Sequence, residues 1–448
     1  MRRSSLLTAV FLLAFVLALQ TQAGTAWAGP SSGQSIEDED TYISATALSQ
    51  YDGAIIDEIR IRGLDRTREQ AVRWLLGGKE GGVFNAADWE HGIRKLYNTQ
   101  NLYDIHTAAR QISTSPPRIA LDVSIRDRWT LLPQVYLQGG GGNSIFGGGI
   151  IDTNIAGYNT QGILGLATLN GNYFYDINLF QEFVFDTDYM FGLDLSRQGN
   201  PISVQDLSGA VTQNFVWART QAQLLLGRRI GKLIRFFGFL EIFQDGLVTA
   251  DSGTTATVDT FVQYRVRPVM IIGRSNLTNY LEEGYELTIA PTAANFFGGS
   301  SSYEQMIATY KRTIILPYNI NLAGFTGAGV MTSAPLPYQF RLGGFDTVRG
   351  FGANRGMGTA YWNGSVEFRP TLLAVKFPLL DLVVLQGCVF TDAGWIDTIQ
   401  GGLALFSAGV GVRFNFAQFA SSIARFDLAR AIEPSEGYDL SFGLSQFF

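Results

Sequence analysis

After Trp129 the chain alternates apolar and polar residues with a period of two. In DYMFGLDLS, Tyr189, Phe191, Leu193 and Leu195 fall on one face, and Asp188, Gly192, Asp194 and Ser196 on the other. In DTFVQYRVR, Thr260, Val262, Tyr264 and Val266 oppose Asp259, Gln263, Arg265 and Arg267. One apolar and one polar face suits a strand placed between lipid and a wet lumen. A soluble sandwich alternates too. No run of 18 or more uncharged apolar residues follows Trp129, so crossing a membrane by helices is excluded on length. An open sheet edge in hydrocarbon would leave backbone donors and acceptors unsatisfied, so such strands must close on themselves. Residues 129–448, at roughly 20 positions for each strand with its share of turn, predict a membrane β-barrel of about sixteen antiparallel strands.

Upstream, residues 53–128 read as a small α+β domain. IIDEIRIRGL alternates Ile56, Ile59 and Ile61 loosely with charge and stops at Gly63, as a half-buried strand does. DRTREQAVRWLL predicts a helix with Thr67 as N-cap and Ala71, Trp74 and Leu75 on one face, ended by Gly77 and Gly78. FNAADWEHGIRKLYNTQ predicts a second helix, capped by Asn85 and burying Trp89, Ile93 and Leu96. LYDIHTAARQI and RIALDVSIRDRW complete the domain as two strands around the turn TSPP, residues 114–117.

The first residues suggest a compartment. Arg2 and Arg3 precede an apolar run over residues 6–19, and AWAG then offers Ala26 and Ala28. This is the pattern of a secretory signal peptide, residues 1–28, cleaved after Ala28; an uncleaved anchor is the alternative, although the run is short for a span. Residues 29–52, rich in Ser, Gly and acid and including IEDED, read as a flexible leader or a partner-binding tail.

Composition agrees with export. Only 16% of residues are charged, against 51 glycines and 13% aromatics, which points away from an ordinary soluble enzyme. The lone Cys388 cannot form an internal disulfide, and the net charge of −6 favours no nucleic-acid partner. His91 and His106, the only histidines, both precede the barrel, so a Ser-His hydrolase inside it is excluded. The run QGGGGNSIFGGG, residues 138–149, lacks the Lys-Ser/Thr of a phosphate loop. The expectation is a non-enzyme with no cofactor and no metal.

One charge stands out. FRLGGFDTVRGF sets Arg349 between glycines and aromatics. A charge facing lipid is costly, so Arg349 should meet water or a carboxylate. YWNGSVEFRP places Glu367 on a polar face with Ser365, Asn363 and Tyr361, and CVFTDAGWIDT places Asp392 opposite Thr391. Both carboxylates should point inward.

The order strand, helix, helix, strand, strand resembles a POTRA domain, as does LYNTQNLYDIHT. With the tip Val348, Arg349, Gly350 and Phe351, the flanking RLGG and FTDAGW, and a terminal strand GYDLSFGLSQFF ending in Phe448, the chain resembles the superfamily of POTRA-bearing outer-membrane insertases and transporters that includes BamA, TamA and the two-partner secretion transporters. Gln446 departs from that terminal pattern, where an aromatic is common. The resemblance implies an extracellular loop, residues 331–357, folded back into the barrel, with Arg349 locked to Glu367 and Asp392 and about five strands after the loop. It also implies a seam between first and last strands, carried here by Gly139, Gly140, Gly141, Gly142, Phe442 and Phe448; a flexible glycine turn is the plainer alternative. The implied partners are an unfolded outer-membrane or secreted polypeptide, outer-membrane lipid and a periplasmic or lipoprotein accessory, with the small domain in the periplasm. Two functions stay open: assembly or translocation of polypeptides, and a loop-gated channel or structural barrel in which Arg349 is a brace.

Overall fold

The computed structural model describes residues 48–99, 101–140, 143–184, 187–231, 233–250, 261–278, 280–295, 302–332, 334–377, 381–416 and 423–444. The expected signal peptide, most of the leader, and Gly141, Gly142 and Phe448 lie outside them.

The first unit has the order β1 (Ile55–Arg62), α1 (Glu69–Leu75), α2 (Ala86–Asn98), β2 (Leu102–Thr114) and β3 (Pro117–Asp127). β3 is central, parallel to β1 and antiparallel to β2. The two helices cover one face of this sheet around Ile56, Val72, Leu75, Trp89, Ile93, Leu96 and Leu121. Asn85 caps α2 by accepting from the Asp88 N–H at 3.0 Å. The helices approach closely at Gly77, where a Cβ would lie 1.8 Å from the Asp88 carbonyl oxygen, so no side chain fits there.

Three sequence expectations change here. Residues 48–52 belong to the packed unit and not to a leader: Leu48 is buried in its core, and the Asp52 carboxylate accepts from the Ala86 N–H at 2.7 Å. Thr67 does not cap α1, whose N-cap is Arg68 without a side-chain bond. Asp127 claims Thr67 instead, accepting from its N–H and hydroxyl. Trp74 turns away from the core, which Val72 fills, and stacks on Tyr158 beyond the domain, ring centroids 5.7 Å apart.

The second unit is one closed antiparallel barrel. Its strands are β4 (Leu131–Gly140), β5 (Asn143–Ile155), β6 (Thr160–Leu169), β7 (Asn172–Gln181), β8 (Tyr189–Gln205), β9 (Val211–Ile230), β10 (Ile234–Ala250), β11 (Phe261–Thr278) and β12 (Leu281–Ala294). There follow β13 (Tyr303–Leu316), β14 (Ile320–Met331), β15 (Phe340–Leu342), β16 (Gly356–Phe377), β17 (Asp381–Thr398), β18 (Gly401–Phe416), β19 (Ile423–Glu433) and β20 (Gly437–Leu444). β15 is a three-residue strand inside the loop between β14 and β16, and β14 pairs with β16 directly. Among the described residues, and without β15, the wall has sixteen strands, five of them after the loop, as the residue count and the resemblance predict.

The period of two is realised as predicted. Leu193, Leu195, Val262, Tyr264 and Val266 are exposed on the outer surface, whereas Gln263 is 0% exposed and Ser196 2%. The outer wall is therefore an apolar band suited to lipid. Among the described residues no helix is long and apolar enough to cross a membrane.

The first unit docks on the near end of the barrel through buried polar groups. Asn101 donates to the Thr153 carbonyl at 2.9 Å and to Asn159 at 3.0 Å; Asn154 donates to the Thr67 hydroxyl at 2.7 Å; and the Arg68 N–H bonds the Gly157 carbonyl at 3.0 Å. Burying such groups is tolerable because each finds a partner.

Candidate functional site

The loop from β14 to β16 returns into the lumen, and its tip carries Arg349. The tip is held by its apolar neighbours. Val348 and Phe351 pack with Leu342, Ile396, Leu403, Leu405 and Ala431, residues of β15, β17, β18 and β19. Gly350, at φ +91°, lets the chain pass β19, since a Cβ there would sit 3.0 Å from the Ala431 nitrogen. A larger residue would meet both backbone strain and a clash.

Arg349 is fully buried and uses its whole fork. Nε and NH2 donate to the two oxygens of Asp392, each at 2.8 Å; NH1 donates to Glu367 at 2.6 Å and to Asp427 at 3.3 Å; NH2 also reaches Ser365 Oγ at 3.2 Å. Its own N–H bonds Asp392 at 3.1 Å, and its guanidinium lies 3.4 Å from the centre of the Phe390 ring. The structure thus brings Arg349, Glu367 and Asp392 together.

Sequence reasoning missed half of the cluster. Asp427 on β19 is a third acid, held by Arg413 of β18 through both oxygens, at 2.5 and 3.2 Å. Arg369 donates to Glu367 at 2.6 Å. Three arginines and three carboxylates, each no more than 1% exposed, therefore balance one another. Taking these ions from water is expensive, and matched pairing is what makes the arrangement tolerable. The signal that could have found them is the alternation already used for Glu367: in RFDLAR, Arg425 and Asp427 alternate with Phe426 and Leu428.

The loop has two further anchors, both unforeseen. Tyr338 donates its hydroxyl to Asp245 on β10, which also accepts from Trp217 at 3.2 Å and Arg219 at 2.9 Å. At the far rim, buried Arg355 donates to the carbonyls of Asp206 and Leu207, each at 3.0 Å, and to Glu436. Arg355 thus ties the β8–β9 turn to the β19–β20 turn across the barrel mouth.

The seam is where the barrel closes on itself. Among the described residues the registered pair between β20 and β4 is Phe442 with Gly139, whereas β20 pairs with β19 through eight residues. Gly140 lies next to it, opposite Asn143 at the end of the first hairpin.

Neither a family model nor a curated protein matches this chain. Among solved structures, the barrel resembles BamA from Haemophilus ducreyi lacking POTRA domains 1–3, at 15% identity and a TM-score of 0.57, covering 87% of this chain and 84% of that one. CdiB from Acinetobacter baumannii matches at 16% identity and 0.59, covering 88% and 74%. CdiB from Escherichia coli matches at 12% identity and 0.64, covering 87% and 76%. At these identities the likeness speaks for architecture: this chain has the fold of the BamA and CdiB barrels.

Proposed function

We propose that the chain is a single-POTRA member of the BamA and TamA superfamily that assembles or translocates polypeptides at an outer membrane, without enzymatic chemistry. In this reading the small domain lies in the periplasm and receives an unfolded polypeptide, and the barrel inserts it into the membrane or passes it across. The carrying observation is the seam. Among the described residues β20 registers with β19 through eight residues and with β4 through one, Phe442 with Gly139, and a lightly registered strand edge is a template for an incoming strand. No nucleotide enters the scheme; the work comes from client folding.

The Arg349 cluster has a supporting part in this reading. It fixes the loop to β16, β17 and β19, the strands leading to the seam, so the last strands stay ordered while the seam opens.

A loop-gated channel is the second reading, favoured by the loop's anchors on opposite walls, Asp392 on β17 and Asp245 on β10. One experiment separates the two. The protein is reconstituted in liposomes and the folding rate of an unfolded outer-membrane barrel is followed, with and without a Gly139→Cys/Phe442→Cys disulfide across the seam. Directly paired residues have the Cα separation a disulfide needs. Acceleration that vanishes on oxidation and returns on reduction supports insertion. No acceleration, together with ion conductance that rises in Arg349→Ala, supports the channel.

A further inference from the structure

The register places one row of inward side chains across five strands near the domain end of the lumen. Gln161 lies opposite Phe180, Phe180 opposite Gly192, Gly192 opposite Leu225 and Leu225 opposite Phe239. A barrel lumen is ordinarily polar. Here three of five positions are large and apolar, and a fourth has no side chain.

The result is a recess of about 260 Å³ lined by Phe180, Gly192, Leu225 and Phe239, with Asn178, Asp194 and Gln223 among the polar residues at its border. Gly192 forms its floor, since a Cβ there would touch Leu225 at 3.3 Å and Phe180 at 3.4 Å. Phe237 supports the Phe239 ring edge-on at 5.4 Å, and Arg267 lies over that ring at 4.1 Å. The volume falls below the roughly 300 Å³ at which pockets for drug-sized ligands begin, and it suits one aromatic or large aliphatic side chain.

Charge indicates what accompanies that side chain. Asp194 stands two residues along β8 from Gly192, and accepts from Ser196 at 3.0 Å and Gln221 at 2.9 Å. Asp176 on β7, opposite Ser196, is its neighbour. Neither carboxylate has a cationic partner among the described residues, whereas Glu241 on β10 is paired with Arg265 and Arg267. In an extended polypeptide, residues i and i+2 lie on one face about 6.6 Å apart, the same spacing as Gly192 and Asp194. The recess lies toward the domain end of the barrel: Phe180 is the penultimate residue of β7, and Lys95 of α2 lies 5.3 Å from the ring of Phe183 in the turn that follows. It is thus among the first lumenal surfaces beyond the small domain.

We infer that this recess is a docking site for a large apolar side chain of an extended polypeptide, with Asp194 and Asp176 receiving a cationic side chain two residues along. This rests on the reading that a polypeptide enters the lumen, and it adds a preference for apolar–cationic alternation.

The test uses fluorescent 12-residue peptides alternating Phe with Lys, Ser with Lys, or Phe with Gln, titrated by anisotropy against the full chain in nanodiscs, with empty nanodiscs subtracted. The Phe/Lys peptide should bind at least tenfold more tightly than Ser/Lys. Gly192→Phe, which fills the recess from its floor, and Leu225→Asn, which makes it polar, should each weaken Phe/Lys binding about tenfold. Asp176→Asn/Asp194→Asn should weaken Phe/Lys and leave Phe/Gln unchanged. Heat-modifiable gel mobility verifies that each variant is folded. Equal binding of Phe/Lys and Ser/Lys, or affinity within twofold of wild type in both recess variants, overturns the inference. The liposome assay separates it from its premise: client folding accelerated with no recess-dependent binding removes the recess alone, and recess-dependent binding without acceleration removes insertion while the recess stands.

Discussion

Tyr338 donates its hydroxyl to Asp245, 93 residues away in sequence, and so fastens the inward loop to the wall opposite the one held by Arg349. The loop is a strap with two ends. Asp245 keeps Trp217 and Arg219 when Tyr338 is lost, so Tyr338→Phe should remove one bond to a charged acceptor, about 1.5–3 kcal/mol. Limited proteolysis should then cut within residues 331–357 several-fold faster, with barrel unfolding little changed. A protease rate equal to wild type would show that this anchor is idle.

Arg349→Ala should be far more damaging. It leaves Asp392, Glu367 and Asp427 with less compensation in a buried setting, a loss of about 3–5 kcal/mol. Arg349→Lys retains the charge but cannot span both oxygens of Asp392 while reaching Glu367, and should recover only part of the loss. Urea unfolding of the three proteins in detergent would order them wild type, Lys, Ala; Lys equal to wild type would contradict the account of the fork.

Arg355 offers a separate handle on the far rim. Arg355→Gln shortens the side chain and removes the charge facing Glu436, so the β8–β9 and β19–β20 turns should part. Hydrogen exchange at residues 206–210 should rise at least tenfold, while residues 360–370 of β16 stay protected. Unchanged exchange at the turn would mean that the Asp206 carboxylate, which accepts from Ser208 and Ala210, holds it unaided.

Docking of the small domain should depend on Asn101 and Trp74 more than on its charges. Asn101→Ala takes a hydrogen-bond partner from the half-buried Thr153 and Asn159, and Trp74→Ala removes the stack on Tyr158. Each should broaden the distance distribution between spin labels on α2 and on the β7–β8 turn. A distribution as narrow as wild type in the double variant would rule out this docking surface.

Lys95 gives a pH dependence of known sign. Burial pushes its amine below the ordinary value of 10.5, with Asp188 opposing the shift. The folded state then binds fewer protons than the unfolded state between the lowered value and 10.5, so stability rises with pH through that window. Lys95→Met should abolish this slope and slow exchange in α2 at neutral pH. A steeper slope in the variant would contradict burial as the cause.

Much of this architecture was legible in the linear chain because it follows from local periodicity. Alternation in residues 189–196 and 260–267 announced which side chains face lipid, and the demand that every backbone group in hydrocarbon be paired forced closure. Apolar spacing in residues 85–98 announced α2 with its Asn85 cap. Arg349, Glu367 and Asp392 were legible for a like reason: a charge on a membrane strand has few affordable places. Tertiary structure alone decided the rest. Asp427 and Arg413 join the cluster because β18 and β19 lie beside β17 in the closed sheet. Tyr338 meets Asp245 because the loop crosses the lumen, Thr67 is taken from its helix by Asp127, and Trp74 turns from the core to Tyr158. The recess at Gly192 exists only because five strands come into one register. Periodicity tells a residue which face it occupies; only strand register and closure tell it whom it meets there.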